Sequence, residues 1–144
     1  VKVFHGGEGM RRVLKMSDVI LIALPLSKLT IGLIGAAEFT TMKRDAILVN
    51  VARAEIVDEE ALYQHLVKHP QFTYATDVWQ IKRGKETYSS RFPLLKLSNF
   101  IGTPHVAGAS SALSGEPGKS AADNLARLLK GEAPLNVVDP SEYI

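Results

Sequence analysis

Arg53, Asp77 and His105 are the residues of this sequence whose positions are best suited to chemistry. Each stands in or directly after a run of apolar residues of the kind that forms a buried strand. Open α/β sheets bind ligands at the carboxyl ends of their parallel strands. A guanidinium at such an edge can bind an anion, a carboxylate can accept hydrogen bonds, and an imidazole can exchange a proton near neutral pH. The sequence therefore predicts that these three side chains leave a sheet at one common edge.

Each of these residues also has an interpretation that involves no function. Arg53 can be an ordinary surface arginine in a loop, and Asp77 can be a structural carboxylate that caps a turn. His105 can be a loop histidine, although the small residues around it form a turn that a ligand can approach. The sequence alone leaves both interpretations open for each residue.

The rest of the chain divides into alternating strands and helices by its hydrophobic periodicity. Asp58 is predicted to be the N-cap residue of the clearest helix, which His69 and Pro70 end. Another helix is predicted to begin near Met10. The predicted strands cover 1–4, 19–24, 46–51, 72–79 and 100–103. The helix with the Asp58 N-cap covers 58–68, and two further helices cover 36–42 and 119–130.

This alternation predicts an α/β fold, a Rossmann-like parallel sheet with flanking helices. We expect the sheet to be incomplete, because nothing in the chain matches the first strand and glycine-rich loop that open a nucleotide-binding domain. The nearest match is the G-x-G at Gly7 and Gly9. The third glycine of the motif would fall at Arg12, whose bulky side chain would block close packing of helix against strand.

Composition excludes several classes of protein. The 144 residues are enough for one domain with its own core, and the formal charge of +2 is too small to indicate a nucleic-acid partner. The chain has no cysteine, so disulfides and thiolate metal sites are excluded. No apolar run approaches the roughly 18 residues that span a membrane. His5, His65 and His69 are interpreted as structural, and no metal site is predicted.

The ends of the chain and one long segment complete the expectations. A domain is predicted over 1–131, followed by an extended tail over 132–144. The first residue is Val1 and no signal peptide is recognisable, which indicates a processed or truncated chain. Residues 80–98 are predicted to form a long loop, and loops of this size in compact domains are often functional.

Four motifs, taken together and in order, resemble the D-isomer-specific 2-hydroxyacid dehydrogenase family. This family includes phosphoglycerate dehydrogenase, glyoxylate/hydroxypyruvate reductase and formate dehydrogenase. The resemblance extends over nearly all of residues 17–136 and implies an NAD(P)-dependent oxidoreductase acting on a small 2-oxo or 2-hydroxy acid. The matching segments are 17–26 with Thr30 and 32–35, then 50–53 with 57–62, then 76–79, and finally 102–108.

The resemblance implies roles for three catalytic residues. In the family an arginine holds the substrate carboxylate, and a histidine acts as acid or base on the 2-hydroxyl or 2-oxo oxygen. These roles fall on Arg53 and His105. A glutamate pairs with the histidine and raises its pKa. Counting forward from the strand aspartate leads to Lys82, whereas counting back from the proline before the last strand leads to Glu86. A short insertion reconciles the two counts, so Glu86 is the predicted partner.

The resemblance also implies a set of cofactor contacts. Asp77 matches the residue that binds the nicotinamide carboxamide, and Gly108 allows close approach beside the histidine. The cofactor is expected to be NAD or NADP, with NAD favoured. The other residues implied to lie along the cofactor are Leu24, Pro25 and Thr30 near the adenine end, and Val51, Ala52, Arg53 and His105 near the nicotinamide.

Some features depart from the family pattern. Ala54 stands where most members of the family have glycine. An alanine at this position also occurs in a formate-dehydrogenase-like branch of archaeal and thermophile relatives. Formate oxidation itself is not expected, because true formate dehydrogenases have glutamine at the position of Glu86. The substrate domain and the glycine-rich first unit, which normally precede Ser17, are missing.

The remaining expectations are a cytoplasmic location, a homodimer in the intact protein, and no nucleic-acid or membrane partner. The fragment alone is expected to be inactive. The alternative function is that of a non-catalytic, truncated Rossmann module that associates with another chain through an exposed sheet edge.

Overall fold

A sheet of four parallel strands lies at the centre of the computed structural model, which describes residues 2–82, 85–86, 90–108, 116–137 and 141. The order of strands across the sheet is β1-β2-β3-β6; a helix joins each of the first two pairs of neighbouring strands, whereas a segment with two short strands and a 3-10 turn joins the last pair. The strands are β1 (Val19–Ile22), β2 (Ile47–Asn50), β3 (Thr73–Thr76), β4 (Ile81–Lys82), β5 (Lys85–Glu86) and β6 (Phe100–Gly102), and the helices are α1 (Gly6–Met16), α2 (Ala36–Thr41), α3 (Glu59–Lys68) and α4 (Glu116–Leu129).

The register of the sheet places the carboxyl ends of its strands level with one another. Ile22 pairs with Asn50, Asn50 with Thr76, and Thr76 with Gly102, each the last residue of its strand. All three pairings are parallel, as the alternation of strands and helices predicted. The predicted Rossmann-like fold is therefore confirmed, and the loops that follow the strands all leave the sheet at one edge.

Only one face of the sheet is covered by the described helices. Ile20 and Leu48 point into the core, where they meet side chains of α1, α2 and α3. On the opposite face, Val19 and Leu21 are each 61% exposed. Because side chains alternate along a strand, the apolar runs place hydrophobic residues on both faces.

Helix α3 begins where the sequence indicated. A side-chain oxygen of Asp58 accepts a hydrogen bond from the backbone N–H of Ala61 at 2.7 Å, which satisfies one of the free donors at the helix start. Leu62 and Leu66, one turn apart, are buried against the sheet and α2. The predicted N-cap is confirmed.

The amino-terminal prediction was partly wrong. Residues 2–4 form no strand in the structure, because no neighbouring strand is present among the described residues to accept their backbone hydrogen bonds. The glycines that follow are not a loop, since α1 already begins at Gly6. Gly9 faces Phe4 so closely that an added Cβ would lie 3.0 Å from the Phe4 carbonyl carbon. Gly9 therefore allows Phe4 to pack closely against α1.

The segment predicted as a loop over 80–98 contains regular structure. Strands β4 and β5 pair antiparallel, and residues 94–96 form a single 3-10 turn. The alternation of apolar and polar residues that marks a strand is missing from this charged segment, which explains the omission. Helix α4 begins at Glu116, three residues before the predicted start of that helix at 119. Among the described residues, no helix is long and apolar enough to cross a membrane.

His65 is a buried imidazole in the core between α2, α3 and the sheet. Its ring stacks on Phe39 at 4.9 Å between ring centroids and meets the Phe72 ring edge-on at 4.6 Å. Its Nε2 atom is buried without a hydrogen-bond partner. Burial, followed by the neighbouring charge of His69, lowers the pKa of His65 to about 4. The structural interpretation of this histidine fits these contacts.

Acidification is therefore expected to destabilise the fold through His65. The folded-state pKa lies below that of an unfolded histidine, so the unfolded chain binds more protons as the pH falls from about 6.5 to about 4. Across this range the free energy of unfolding should fall by up to about 3 kcal/mol. Urea unfolding at several pH values measures the loss. His65→Gln should remove most of this dependence on pH, whereas His5→Gln, at an exposed histidine, should leave it in place. The assignment would be contradicted if the free energy of unfolding fell by the same amount with pH in both variants.

Candidate functional site

Arg53, Asp77 and His105 follow three adjacent strands. Arg53 follows β2, Asp77 follows β3 and His105 follows β6. Because neighbouring strands lie about 4.8 Å apart and these strands end level, the three loops leave the sheet within about 10 Å of one another. The structure thus brings these three predicted site residues to the same edge of the sheet.

Asp77 organises the turn that carries His105. One oxygen of its carboxylate accepts hydrogen bonds from the Thr103 hydroxyl at 2.5 Å and the Val106 N–H at 2.9 Å. The other oxygen accepts the Ala107 N–H at 2.7 Å. The carboxylate is buried, with 4% exposure, so these donors replace the water that it has lost. Asp77 therefore caps this turn, as its structural interpretation proposed.

The charge of Asp77 is stabilised by the same contacts. Burial by itself raises the pKa of the carboxyl. The hydrogen bonds from Thr103, Ala107 and Val106, together with the nearby charge of His105, outweigh burial and hold the pKa below its usual value. Asp77 is consequently ionised at neutral pH, and its second oxygen, which has one donor in the structure, can accept a further hydrogen bond.

His105 is held in an unusual backbone conformation at the surface. Its φ of 56° lies in the left-handed region, which is uncommon for residues other than glycine. Its N–H donates to the Thr103 carbonyl at 3.0 Å, and the Thr103 N–H donates to the Thr76 carbonyl at 2.9 Å. The imidazole is exposed at this edge. The surrounding hydrogen bonds thus hold the turn in the conformation that presents His105 to solvent.

Arg53 is exposed at the same edge of the sheet, in the turn after β2. One terminal guanidinium N–H donates to the Ala52 carbonyl at 2.7 Å. Within the described part of the chain, Arg53 forms no salt bridge with a carboxylate. The remaining donors of the guanidinium are therefore able to bind an anion at this edge.

Three further residues that shape the site were not assigned roles from the sequence. Asn50 is buried beneath the Arg53 turn and hydrogen-bonds to it. The Trp79 indole N–H donates to the Thr103 carbonyl at 2.8 Å, and its ring lies on Gly102, where an added Cβ would come within 2.6 Å of it. The signal for Asn50 was a polar residue ending an apolar run; the Trp79 contact spans 24 residues and had no local signal.

The loop after β1 lies at the same edge. The Thr30 hydroxyl donates to the Pro25 carbonyl at 2.7 Å and accepts the Ser27 N–H at 2.8 Å, so Thr30 closes this loop. Leu24 and Val51 are 45% and 41% exposed, and Ala52 is buried. These residues lie in the segments that follow β1 and β2.

Glu86 and Gly108 are the remaining predicted site residues. Glu86 belongs to β5, but its side chain lies outside the described residues, so its pairing with His105 stays a prediction. Gly108 ends the turn after His105 and is exposed, and an added Cβ there would meet nothing within 4 Å. Within the described residues, no cluster of three or more metal-binding side chains occurs.

The sequence profile of the D-isomer specific 2-hydroxyacid dehydrogenase NAD-binding domain matches residues 4–107. The chain belongs to this family. The match contains the ends of all four parallel strands, and thus the edge that carries Arg53, Asp77 and His105. The family predicted from the motifs is confirmed.

Individual relatives agree with the family. The chain is 38% identical over 136 residues to a D-3-phosphoglycerate dehydrogenase from Archaeoglobus fulgidus, covering 91% of this chain and 25% of the relative. A solved structure of a candidate formate dehydrogenase from Pyrobaculum aerophilum superposes with a TM-score of 0.81 at 31% identity, covering 94% of this chain and 44% of the other. A D-isomer specific 2-hydroxyacid dehydrogenase from Xanthobacter autotrophicus, solved with NADPH and MES, superposes with a TM-score of 0.79 at 33% identity. The match covers 95% of this chain and 54% of the other.

The chain spans only part of each of these proteins. It accounts for a quarter of the Archaeoglobus enzyme and for about half or less of the two solved chains. This agrees with the prediction that the sheet is incomplete relative to a whole nucleotide-binding domain. The family membership therefore applies to the residues that match, 4–107.

Proposed function

We propose that this chain supplies the catalytic edge of an NAD(P)-dependent oxidoreductase that interconverts small 2-oxo and 2-hydroxy acids. The observation that carries the proposal is the placement of Arg53, Asp77 and His105 at the level ends of three adjacent strands. One edge of the sheet carries a guanidinium that can bind a carboxylate, an exposed imidazole and an ionised carboxylate. These groups suit this reaction better than they suit a purely structural surface.

Arg53 binds the substrate carboxylate in this proposal. A guanidinium forms two parallel hydrogen bonds with a carboxylate, which orients the acid as well as binding it. Orientation matters because hydride transfer requires the reacting carbon to be held at a defined distance and angle. The exposed Arg53 side chain, with most of its donors unused within the described chain, supports this role.

His105 moves the proton. In the direction of reduction the imidazolium donates a proton to the 2-oxo oxygen as the carbon is reduced; in oxidation the neutral imidazole accepts the 2-hydroxyl proton. Asp77 holds the 103–107 turn and so keeps the imidazole at the edge. Glu86 is proposed as the acidic partner of His105, in accordance with the family resemblance.

The described residues fit the nicotinamide end of NAD or NADP, with NAD favoured. The cofactor, when bound, supplies or accepts the hydride. The second carboxylate oxygen of Asp77 can accept a hydrogen bond from a carboxamide, and Leu24 and Val51 offer exposed apolar surface to a planar ring. Pro25, Thr30, Ala52 and Gly108 are proposed to border the cofactor with them.

The location and assembly of the protein belong to the same proposal. We expect a cytoplasmic enzyme that forms a homodimer. The exposed sheet face around Val19 and Leu21 also favours the second candidate, a non-catalytic module that associates with another polypeptide, since such an apolar face is usually covered.

A reductase assay tests the proposal. The protein encoded by the complete gene should consume NADH or NADPH with glyoxylate, hydroxypyruvate or phosphohydroxypyruvate as acceptor, and formate should not reduce NAD. Pyruvaldehyde, which lacks the carboxylate, is the matched control and should be a poor substrate. Absence of turnover with every 2-oxo acid and both cofactors, in protein that is folded by circular dichroism, would favour the non-catalytic module.

A further inference from the structure

Asn50 is the most deeply buried polar side chain among the described residues, with 0% exposure. Its amide Nδ2 donates to the Arg53 carbonyl at 2.9 Å and to the Tyr74 hydroxyl at 3.3 Å. Its Oδ1 accepts the Ala52 N–H at 3.0 Å. The side chain therefore binds both sides of the turn that carries Arg53, from within the core.

The same residue also connects to the neighbouring strand. Its backbone carbonyl accepts the Asp77 N–H at 3.1 Å and the Thr76 hydroxyl at 3.2 Å. Burial raises the pKa of Tyr74, against the opposing effect of its hydrogen bonds with Asn50 and Thr76, so the Tyr74 hydroxyl remains neutral. A neutral, fully buried network of this kind holds its members in one arrangement.

A simple core role would not require an amide at this place. A leucine or valine could fill the buried volume at the end of β2 without burying polar atoms. Only a side chain with both a donor and an acceptor can hydrogen-bond the Arg53 carbonyl and the Ala52 N–H at once. The amide is thus matched to the geometry of the turn rather than to the filling of the core.

We propose that Asn50, supported by Tyr74, is a positioning residue that aims the Arg53 guanidinium at the substrate carboxylate. This inference rests on the proposed function and adds a determinant of substrate affinity that lies outside the site itself. Asn50 acts through Arg53 and does not touch the reactants.

Steady-state kinetics of two variants test the proposal in the protein encoded by the complete gene. Asn50→Ser, which cannot reach both sides of the turn, should raise KM for the 2-oxo acid at least tenfold. Tyr74→Phe, a milder change that keeps the packing, should raise KM severalfold. In both variants the Kd for NADH, measured by fluorescence, should change by a smaller factor than KM, because Val51 and Ala52 are only part of the surface proposed for the cofactor, whereas Arg53 is the residue proposed to bind the substrate carboxylate.

Asn99 provides a matched control. It is buried, and its Nδ2 donates to the carbonyls of Leu66, His69 and Phe72 at the opposite edge of the sheet. Asn99→Ser should lower the thermal midpoint as Asn50→Ser does, yet leave KM unchanged when assayed well below that midpoint. An equal rise of KM in the Asn99 variant would show that lost stability, and not positioning, explains the effect.

A double-mutant cycle decides whether Asn50 acts through Arg53. In the Arg53→Gln background, Asn50→Ser should change KM by less than twofold, because the side chain that it positions is gone. This inference, but not the proposed function, would be overturned if the effects of Asn50→Ser and Arg53→Gln on KM multiplied in the double variant. Parental KM values in both Asn50→Ser and Tyr74→Phe would overturn it as well. If Arg53→Gln by itself leaves KM and kcat/KM unchanged, the proposed function fails instead.

Discussion

Replacing Arg53 by glutamine is expected to lower kcat/KM for the 2-oxo acid by a factor on the order of 10³, the cost of removing one partner of a hydrogen-bonded charge pair. Arg53→Lys should lose less, because the charge remains while the planar fork does not. Initial rates of NADH consumption over a range of acid concentrations measure both variants. The Kd for NADH should change by a smaller factor than kcat/KM, since Arg53 is one of several residues proposed to lie along the cofactor but is the residue proposed to bind the substrate carboxylate.

Arg44 offers a control at the other end of the same strand. It is an exposed arginine in the segment that leads into β2, at the edge of the sheet away from the site. Arg44→Gln removes the same charge and should leave kcat/KM within twofold of the parent. Turnover that is equally insensitive to both substitutions would remove Arg53 from the mechanism.

Replacing His105 by asparagine is expected to lower kcat by about 10²–10⁴, the usual contribution of a positioned acid–base group. Asparagine is chosen because it tolerates the left-handed backbone that His105 adopts, so the turn can persist without the imidazole. KM should change little, because Arg53 still binds the acid. Rapid-mixing measurements of NADH oxidation in a single turnover would place the loss in the chemical step.

The control for this substitution is His5, which is exposed and precedes α1. His5→Asn should leave kcat unchanged. A His105→Asn protein that keeps at least half of the parental kcat would contradict the acid–base assignment. A raised KM with an unchanged kcat would point instead to a role of the imidazole in binding.

Short apolar runs were sufficient to predict the sheet and the strand ends that carry the site. Arg53 and His105 could be selected because each follows such a run, and chain direction in a parallel sheet then places them at one edge. The exact last residue of a strand could not be predicted from these runs. The strand predicted over 19–24 stops at Ile22, because β2 offers paired backbone groups only up to Asn50. Apolar residues beyond that point lie in a loop.

The contacts between strand ends could not be predicted in the same way. The hydrogen bonds that Asp77 accepts from the N–H groups of Val106 and Ala107 join residues 29 and 30 positions apart, and no local pattern encodes their geometry. The pairing of Asn50 with Tyr74 spans 24 positions and is equally invisible in sequence. Whether Glu86 meets His105 depends on a segment whose side chains the structure does not describe, so that pairing stays a prediction.

The level ends of β2, β3 and β6 also have a consequence for how the protein folds. Each strand is separated from the next by more than twenty residues, so the edge can assemble only after chain segments distant in sequence have met. Among the described strands, β6 pairs with β3 alone, and this pairing brings the 103–107 turn to the Asp77 carboxylate. The turn that carries His105 is therefore completed in the same event that completes the sheet, and a ligand bound at this edge would stabilise that event by mass action.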